Sequence, residues 1–227
     1  MEKIDDKTDS KVINFDNYMD TNIPLEESLN QIMSEIKLAE DKKKEILAFL
    51  SPLKIKDIST YEHSLRVGIL SYKIAKVLRI DEKALLYSGL LHDLGKVQTD
   101  INTLRKAKGW SQANQEEVQK HVLDGYRTIR GKFDFTAEVI VRHHEHQKNS
   151  YPSLNEIPQP LHQYSDQTKK LIEKYSAIVS LADCFDALHR RNDKFGGTSE
   201  EIKSKILTDR PDQKQLIEDL YSKGIFK

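Results

Sequence analysis

The stretch ISTYEHSLRVGILSYKIAKVLRIDEKALLYSGLLHDLG, residues 58–95, decides the fold class. In its first half, one stripe of apolar side chains at helical spacing runs through Tyr61, Leu65 and Ile69, and a second stripe follows another face. A helix that is apolar on more than one face is typical of a buried position. We therefore predict a central helix over residues 58–78.

Helical patterns continue along the rest of the chain. Asp81 is predicted to cap a second apolar helix that ends at Gly95. Polar loops are expected over residues 97–111 and 145–165, and the second of these contains three prolines. Further helices are predicted over residues 112–130, 133–144, 166–190, 199–207 and 213–221. Convincing strand patterns are absent, so the predicted fold is an all-α bundle of about seven to eight helices.

The N-terminal part divides into a tail and a helix. Residues 1–24 are polar without periodicity, which predicts a disordered tail. Residues 25–52 carry apolar side chains at helical spacing, which predicts one amphipathic helix. Pro24 suits its first turn, and Pro52 is expected to end it. The main domain is then expected to span residues 53–227.

Composition excludes several classes of protein. The chain has 227 residues with 36 basic and 36 acidic side chains, whereas proteins that grip a nucleic acid polymer usually carry a basic excess. A single cysteine, Cys184, rules out a disulfide framework. No apolar run reaches the roughly 18–20 residues of a membrane helix, and the polar N-terminus does not resemble a signal peptide. We therefore expect a cytoplasmic protein with no membrane span.

Histidines are the candidate functional residues. Of eight histidines, five lie in or beside inward-facing helical positions: His63, His92, His121, His143 and His144. Two acids accompany them, Asp93 directly after His92 and Asp183 within the apolar run AIVSLADCFDAL. A buried carboxylate is costly unless it is paired or bound to metal. Imidazole and carboxylate together suit manganese, iron, nickel or zinc, so the pattern indicates a transition-metal site.

These motifs resemble the HD superfamily of metal phosphohydrolases, and more closely its HD-GYP branch of cyclic di-GMP phosphodiesterases. HSLRV (63–67) and LLHDLGKV (90–97) are similar to two segments of that branch, and VRHHEH (141–146) and LADCFDAL (181–188) to two more. A fifth segment, residues 99–126, has a similar spacing of lysine, glycine, paired glutamates and histidine. The resemblance covers about residues 55–195 and implies an HD-domain bundle around a binuclear metal site.

The resemblance also implies a role for each site residue. The first metal would be bound by His63, His92, Asp93 and Asp183. Asp93 would bridge to a second metal, which is held also by His121, His143 and His144. Two divalent transition metals, manganese or iron, would clamp a hydroxide that attacks phosphorus. Asp93 and Lys96 would be the catalytic residues, and Lys96 would contact the substrate phosphate. Arg66 is expected to bind substrate as well.

Three departures from the family pattern bear on these expectations. Ser59 stands where trinuclear members have a glutamate ligand, so two metals are expected and not three. The segment that gives the branch its name reads HHEHQKNSYP (143–152) and lacks the usual Asp-Gly and Gly-Tyr-Pro. Arg191 and Lys194 keep the spacing of two substrate-binding basic residues but lie one or two positions early. The metal ligands are thus complete, while the substrate side is altered.

The sequence leaves three functions open. The first is hydrolysis of cyclic di-GMP to linear pGpG, with further cleavage to GMP undecided. The second is an HD nucleotidase or nucleotide phosphohydrolase. The third is a catalytically silent cyclic-dinucleotide sensor or interaction module, with a diguanylate cyclase domain or another signalling protein as candidate partner. Oligomeric state and the preferred cyclic dinucleotide do not follow from the sequence.

Overall fold

The computed structural model describes residues 23–106, 108–190 and 198–226, so the tail predicted over residues 1–24 lies almost entirely outside it. Every regular element within these three ranges is a helix, and none is a strand. The predicted all-α fold is therefore confirmed. Among the described helices, none is both long and apolar enough to cross a bilayer.

The described part of the chain contains eleven α-helices and three short 3₁₀ turns. In chain order they are α1 (Leu25–Glu35), α2 (Glu40–Lys56), α3 (Ile58–Leu78), α4 (Glu82–Leu91), α5 (Ile101–Leu104), α6 (Gln112–Gln119), α7 (His121–Ile129), α8 (Asp134–Ile140), α9 (Asp166–Arg190), α10 (Ser199–Asp209) and α11 (Lys214–Ser222).

Helix α3 lies at the centre of the fold, as its two apolar stripes predict. It packs along α4 and also contacts α1, α2 and α9. Leu65 and Tyr61 face one cluster of buried side chains, shared with α1, α2 and α8. Leu70 and Ile74 face a second cluster, shared with α9, α10 and α11. Because two of its faces are buried, α3 lies between these two clusters of apolar side chains.

The predicted single helix over residues 25–52 is wrong in two respects. The structure has two helices, α1 and α2, and between them Lys37 adopts a left-handed conformation with φ of 52°. Pro52 lies inside α2, which continues to Lys56. A proline removes one hydrogen bond from a helix interior, but its neighbours Leu50 and Leu53 are fully buried. The packing of Leu50 and Leu53 outweighs the tendency of the proline to end the helix.

Several predicted helices end earlier than expected, and these ends lie at the candidate site. The helix predicted over residues 112–130 is divided into α6 and α7 at Lys120, so that His121 begins α7. Helix α8 ends at Ile140, before the two adjacent histidines. Helix α4 ends at Leu91 and not at Gly95, which lies in the 3₁₀ turn Leu94–Gln98. Side chains at helix ends can converge from several directions on one point.

Candidate metal centre

The structure brings together all seven residues that the sequence predicts as metal ligands. They come from α3, the turn after α4, the start of α7, the turn after α8, and α9. All seven are buried: His63, His92, Asp93, His121, His143, His144 and Asp183. Such a concentration of buried imidazole and carboxylate groups is costly without a bound cation or mutual pairing.

One group of possible ligands consists of His63, His92 and Asp183, whose ligand atoms lie within 4.8 Å of one another. His63 Nε2 lies 3.0 Å from Asp183 Oδ1, and His92 Nε2 lies 3.8 Å from the same oxygen. These three atoms converge from α3, the end of α4 and α9. They offer two nitrogens and one oxygen to a single ion.

A second group consists of His121, His143 and His144, again with ligand atoms within 4.8 Å of one another. The rings of His143 and His144 have centroids 4.0 Å apart. Tyr151, from the loop after α8, stacks on His144 with a centroid distance of 4.4 Å and an interplanar angle of 21°. Tyr151 thus packs one aromatic face against the His144 ring.

Asp93 lies between the two groups. Its Oδ2 atom is 3.4 Å from His63 Nε2 and 3.3 Å from His92 Nε2. Its Oδ1 atom is 3.2 Å from His121 Nε2. The two oxygens of one carboxylate therefore face different histidine groups, which is the geometry that a bridging ligand requires.

The histidine rings are oriented by hydrogen bonds on their far sides. The Nδ1 atoms of His92, His121 and His143 each contact a backbone carbonyl of the preceding turn, at Gly89, Val118 and Ile140 respectively. A carbonyl oxygen can only accept, so each Nδ1 carries the hydrogen and each Nε2 carries a lone pair. This arrangement is usual for histidines that bind metal through Nε2.

The lone pairs meet no protein donor. The Nε2 atoms of His92, His121 and His143 are buried, and none makes a hydrogen bond within the part of the chain that the structure describes. Buried polar atoms are nearly always satisfied in native proteins. Unsatisfied nitrogens that converge on shared carboxylates are what divalent metal ions would complete, so the residues fit a metal centre.

Asp186 is a residue of the candidate site that the sequence analysis missed. It is fully buried, and its Oδ2 accepts a hydrogen bond from His63 Nδ1 at 2.6 Å. Its Oδ1 accepts from Arg66 Nε at 2.8 Å. The signal was present in LADCFDAL, because acids three residues apart lie on the same face of a helix. Arg66 pairs with Asp186 in the structure, and its binding of substrate stays a prediction.

Gly95 sets the distance between the turn that carries Asp93 and the start of α7. A Cβ atom at Gly95 would overlap the backbone oxygen of His121 and lie 2.6 Å from the backbone nitrogen of Gly125. Both obstacles are backbone, so neither can rotate away. Glycine is therefore required here for the close approach of two segments, which brings Asp93 beside His121.

Electrostatics keep most of the histidines neutral. Burial lowers the pKa of His121 to about 3 and that of His144 to about 4, and it lowers the pKa of His143 as well. Burial alone would also lower the pKa of His92, but the Asp93 carboxylate raises it above its usual value. Neutral imidazole is the form that binds metal. His121, His143 and His144 can therefore bind a metal ion at neutral pH without first losing a proton.

Lys96 lies beside Asp93, with Nζ 2.5 Å from Oδ2. Burial alone would raise the pKa of Asp93, but His92 and Lys96 hold it well below its usual value. The carboxylate is therefore ionised. Lys96 also lines the cleft above the cluster.

A cleft of about 840 Å³ opens over the cluster. Its walls include Trp110 from the loop before α6, Lys148 and Tyr151 from the loop after α8, and Arg210 after α10. The volume falls in the range of about 300–1,000 Å³ that is usual for small-molecule sites. Arg191 and Lys194, predicted to bind substrate, lie outside the described residues.

Comparison with known proteins agrees with this geometry. A family model described as HD domain matches residues 60–188, more than half of the chain. The 3'3'-cGAMP-specific phosphodiesterase 1 of Vibrio cholerae is 30% identical over 135 residues, which cover 57% of this chain and 28% of that protein. The cyclic di-GMP phosphodiesterase of Thermotoga maritima is 30% identical over 156 residues, which cover 65% of this chain and 38% of that protein. The matched regions thus span less than half of either relative.

Proposed function

Because the chain belongs to the HD domain family, we propose that it is a metal-dependent phosphodiesterase that hydrolyses a cyclic dinucleotide. Cyclic di-GMP is the first candidate substrate, and linear pGpG is the product. The two relatives are named for cyclic di-GMP and for 3'3'-cGAMP, so 3'3'-cGAMP is the second candidate. Both compounds are cyclic diesters of similar size and charge.

The observation that carries this proposal is the position of Asp93. Its two oxygens lie 3.2–3.4 Å from histidine nitrogens of separate groups. Two divalent ions at these groups would activate water as the nucleophile and neutralise charge on the phosphate. Manganese and iron suit the mixture of imidazole and carboxylate ligands. Ser59 supplies no carboxylate for a third ion, so we propose two ions.

The residues of the chain position the diester for hydrolysis. A phosphodiester is a poor electrophile, and fixed positive charge beside its oxygens stabilises the transition state. Lys96 offers an ammonium group at the floor of the cleft, directly beside Asp93. Asp186 acts through His63, since its hydrogen bond to Nδ1 keeps Nε2 directed at the cluster. Asp186 is a positioning residue.

The cleft also suits the bases of the substrate. Trp110 forms part of its wall, and the indole Nε1 donates a hydrogen bond to the backbone oxygen of Lys106. This bond anchors the ring at the wall of the cleft. A nucleobase that stacks on an aromatic side chain gains about 1–3 kcal/mol. Trp110 is therefore a candidate base platform.

The proposal is tested by metal analysis together with a panel of nucleotides. Protein purified without chelator should contain two transition-metal ions per chain and should cleave cyclic di-GMP or 3'3'-cGAMP. Asp93→Ala should lose both ions and all activity, because the carboxylate contacts both groups. Preferred cleavage of mononucleotides would favour the nucleotidase alternative. Binding of cyclic dinucleotides without cleavage would favour a sensor.

A further inference from the structure

Arg210 is a buried cation that forms no ion pair among the residues the structure describes. Only 3% of the residue is exposed. Its Nη2 donates a hydrogen bond to the hydroxyl of Ser180 at 2.8 Å, and its buried Nη1 has no hydrogen-bond partner among the described residues. None of the carboxylates in the described part of the chain forms an ion pair with it. A guanidinium group is always charged and carries five donors.

Such an arrangement is costly unless an anion completes it. Burial of an ionised group without a partner is among the largest penalties in a folded protein. The neighbouring cation, Lys205, contrasts with Arg210, because it is half-exposed and pairs with Asp209 at 2.9 Å. The orphaned donor of Arg210 therefore indicates a ligand with negative charge.

The position of Arg210 indicates which ligand this is. Arg210 follows α10, outside the region matched by the family model, yet it lines the same cleft as Lys96 and Asp183. Its partner Ser180 lies on α9, three residues before Asp183. Three residues correspond to about 5 Å along a helix. The guanidinium is thus held roughly one helical turn from the metal cluster.

A cyclic dinucleotide carries two phosphodiester groups, and only one of them can lie at Asp93 and Asp183 during hydrolysis. We propose that Arg210 binds the second phosphate, the one that is not being cleaved. This inference rests on the proposed function for the identity of the ligand. The anion site itself rests on the burial of Arg210 and on its unpartnered Nη1. The same contact would orient the ring for attack at the first phosphate.

The test compares Arg210→Gln and Arg210→Lys with a control, Arg127→Gln, in the metal-loaded protein. Arg127 is a surface residue on α7 whose side chain is 60% exposed. Arg127→Gln removes one positive charge, as Arg210→Gln does. The first measurement is the rise in melting temperature on addition of inorganic phosphate at constant ionic strength. A ligand that binds only the folded state stabilises it. Phosphate at the metals acts on all variants alike, so the difference isolates Arg210.

We expect phosphate to stabilise Arg210→Gln less than it stabilises the wild type or Arg127→Gln, with Arg210→Lys intermediate. A purely structural role would lower the melting temperature of Arg210→Gln in phosphate-free buffer and leave the response to phosphate unchanged. That result would overturn the inference.

The second measurement is steady-state hydrolysis of cyclic di-GMP and of bis(p-nitrophenyl) phosphate, which has a single phosphate. Loss of one charged hydrogen bond should raise KM for the cyclic dinucleotide about 10- to 100-fold, while cleavage of the small diester stays the same. Equal effects on both substrates, or no change in KM, would refute the second-phosphate contact. If the wild type cleaves no cyclic dinucleotide but its response to phosphate depends on Arg210, the proposed function fails and the anion site stands.

Discussion

The carboxylate of Asp186 accepts a hydrogen bond from the Nδ1 atom of His63 at 2.6 Å, although the two residues are 123 positions apart in the chain. The bond joins the central helix α3 to α9. It orients His63 Nε2 toward Asp93 and Asp183, which lie 3.4 and 3.0 Å away. Arg66 closes the arrangement from the other side of Asp186.

Asp186→Asn is expected to weaken metal binding without removing a metal ligand. Asparagine keeps the shape of the side chain but no longer offers a charged acceptor to the His63 ring. Loss of such an outer contact typically reduces metal affinity about 10- to 100-fold. Competition with a chelator of known affinity measures the change. Unaltered affinity would mean that Asp186 serves only the packing of Arg66.

Lys96→Ala should separate catalysis from metal binding. The ammonium group contacts Asp93 but cannot bind a cation itself, so both ions should remain. Turnover should fall about 10²- to 10³-fold, which corresponds to roughly 2.7–4 kcal/mol of transition-state stabilisation. Metal content and kcat measured on the same preparation test this expectation. Loss of metal would show that Lys96 instead holds Asp93 in place.

Gly95→Ala should disrupt the metal centre although residue 95 is not a ligand. The new methyl group would overlap the backbone oxygen of His121, so α7 must move away from Asp93. Gly109→Ala is the control, because a Cβ there meets nothing within 4 Å and only its φ of 68° is unfavourable. The control should cost about 1–2 kcal/mol of stability and keep its metal. Equal metal content in both variants would contradict the expectation.

The metal-free protein should lose stability as the pH falls below about 6.5. Burial lowers the pKa of His121 to about 3 and that of His144 to about 4, against about 6.5 in an unfolded chain. Between these values the unfolded state binds protons that the folded state refuses, so the free energy of unfolding decreases with falling pH. His92 changes the free energy of unfolding in the opposite direction because Asp93 raises its pKa. The combined effect of His121 and His144 is larger than that of this one residue.

Urea unfolding of chelator-treated protein at pH 7.5 and 5.5 measures this effect. A decrease of roughly 1–3 kcal/mol is expected at the lower pH, since each histidine contributes on the order of 1 kcal/mol there. Equal or greater stability at pH 5.5 would show that the folded state accepts these protons.

Two apolar residues of α2 should respond very differently to truncation. Leu50 is fully buried against the core, whereas Ile55 is 85% exposed. Leu50→Ala should cost about 2–5 kcal/mol because it leaves a cavity, and Ile55→Ala should change stability by less than about 0.5 kcal/mol. Chemical denaturation of both variants tests whether α2 belongs to the folded domain. Similar small effects would indicate that α2 is loosely docked.

The sequence by itself determined the class of fold and the set of candidate metal ligands. The two apolar stripes of residues 58–78 predict a buried helix, and α3 spans those residues. The long helix α9 was predicted with the same bounds as it has in the structure. His92–Asp93 and the pair His143–His144 were recognisable because neighbouring residues of these types are unusual in apolar surroundings. Local patterns were sufficient for these features, since helical periodicity and residue chemistry are local properties.

Tertiary structure alone decided which atoms face one another. Pro52 remains within α2 because packing of its neighbours overrides local propensity. Asp93 lies between the histidine groups because Gly95 lets its turn approach α7. The contacts of Asp186 and Arg210 follow only from the packing of α9 against α3 and against the segment after α10. Sequence spacing does not encode distances between side chains on different helices, because these depend on how the helices pack around the shared core.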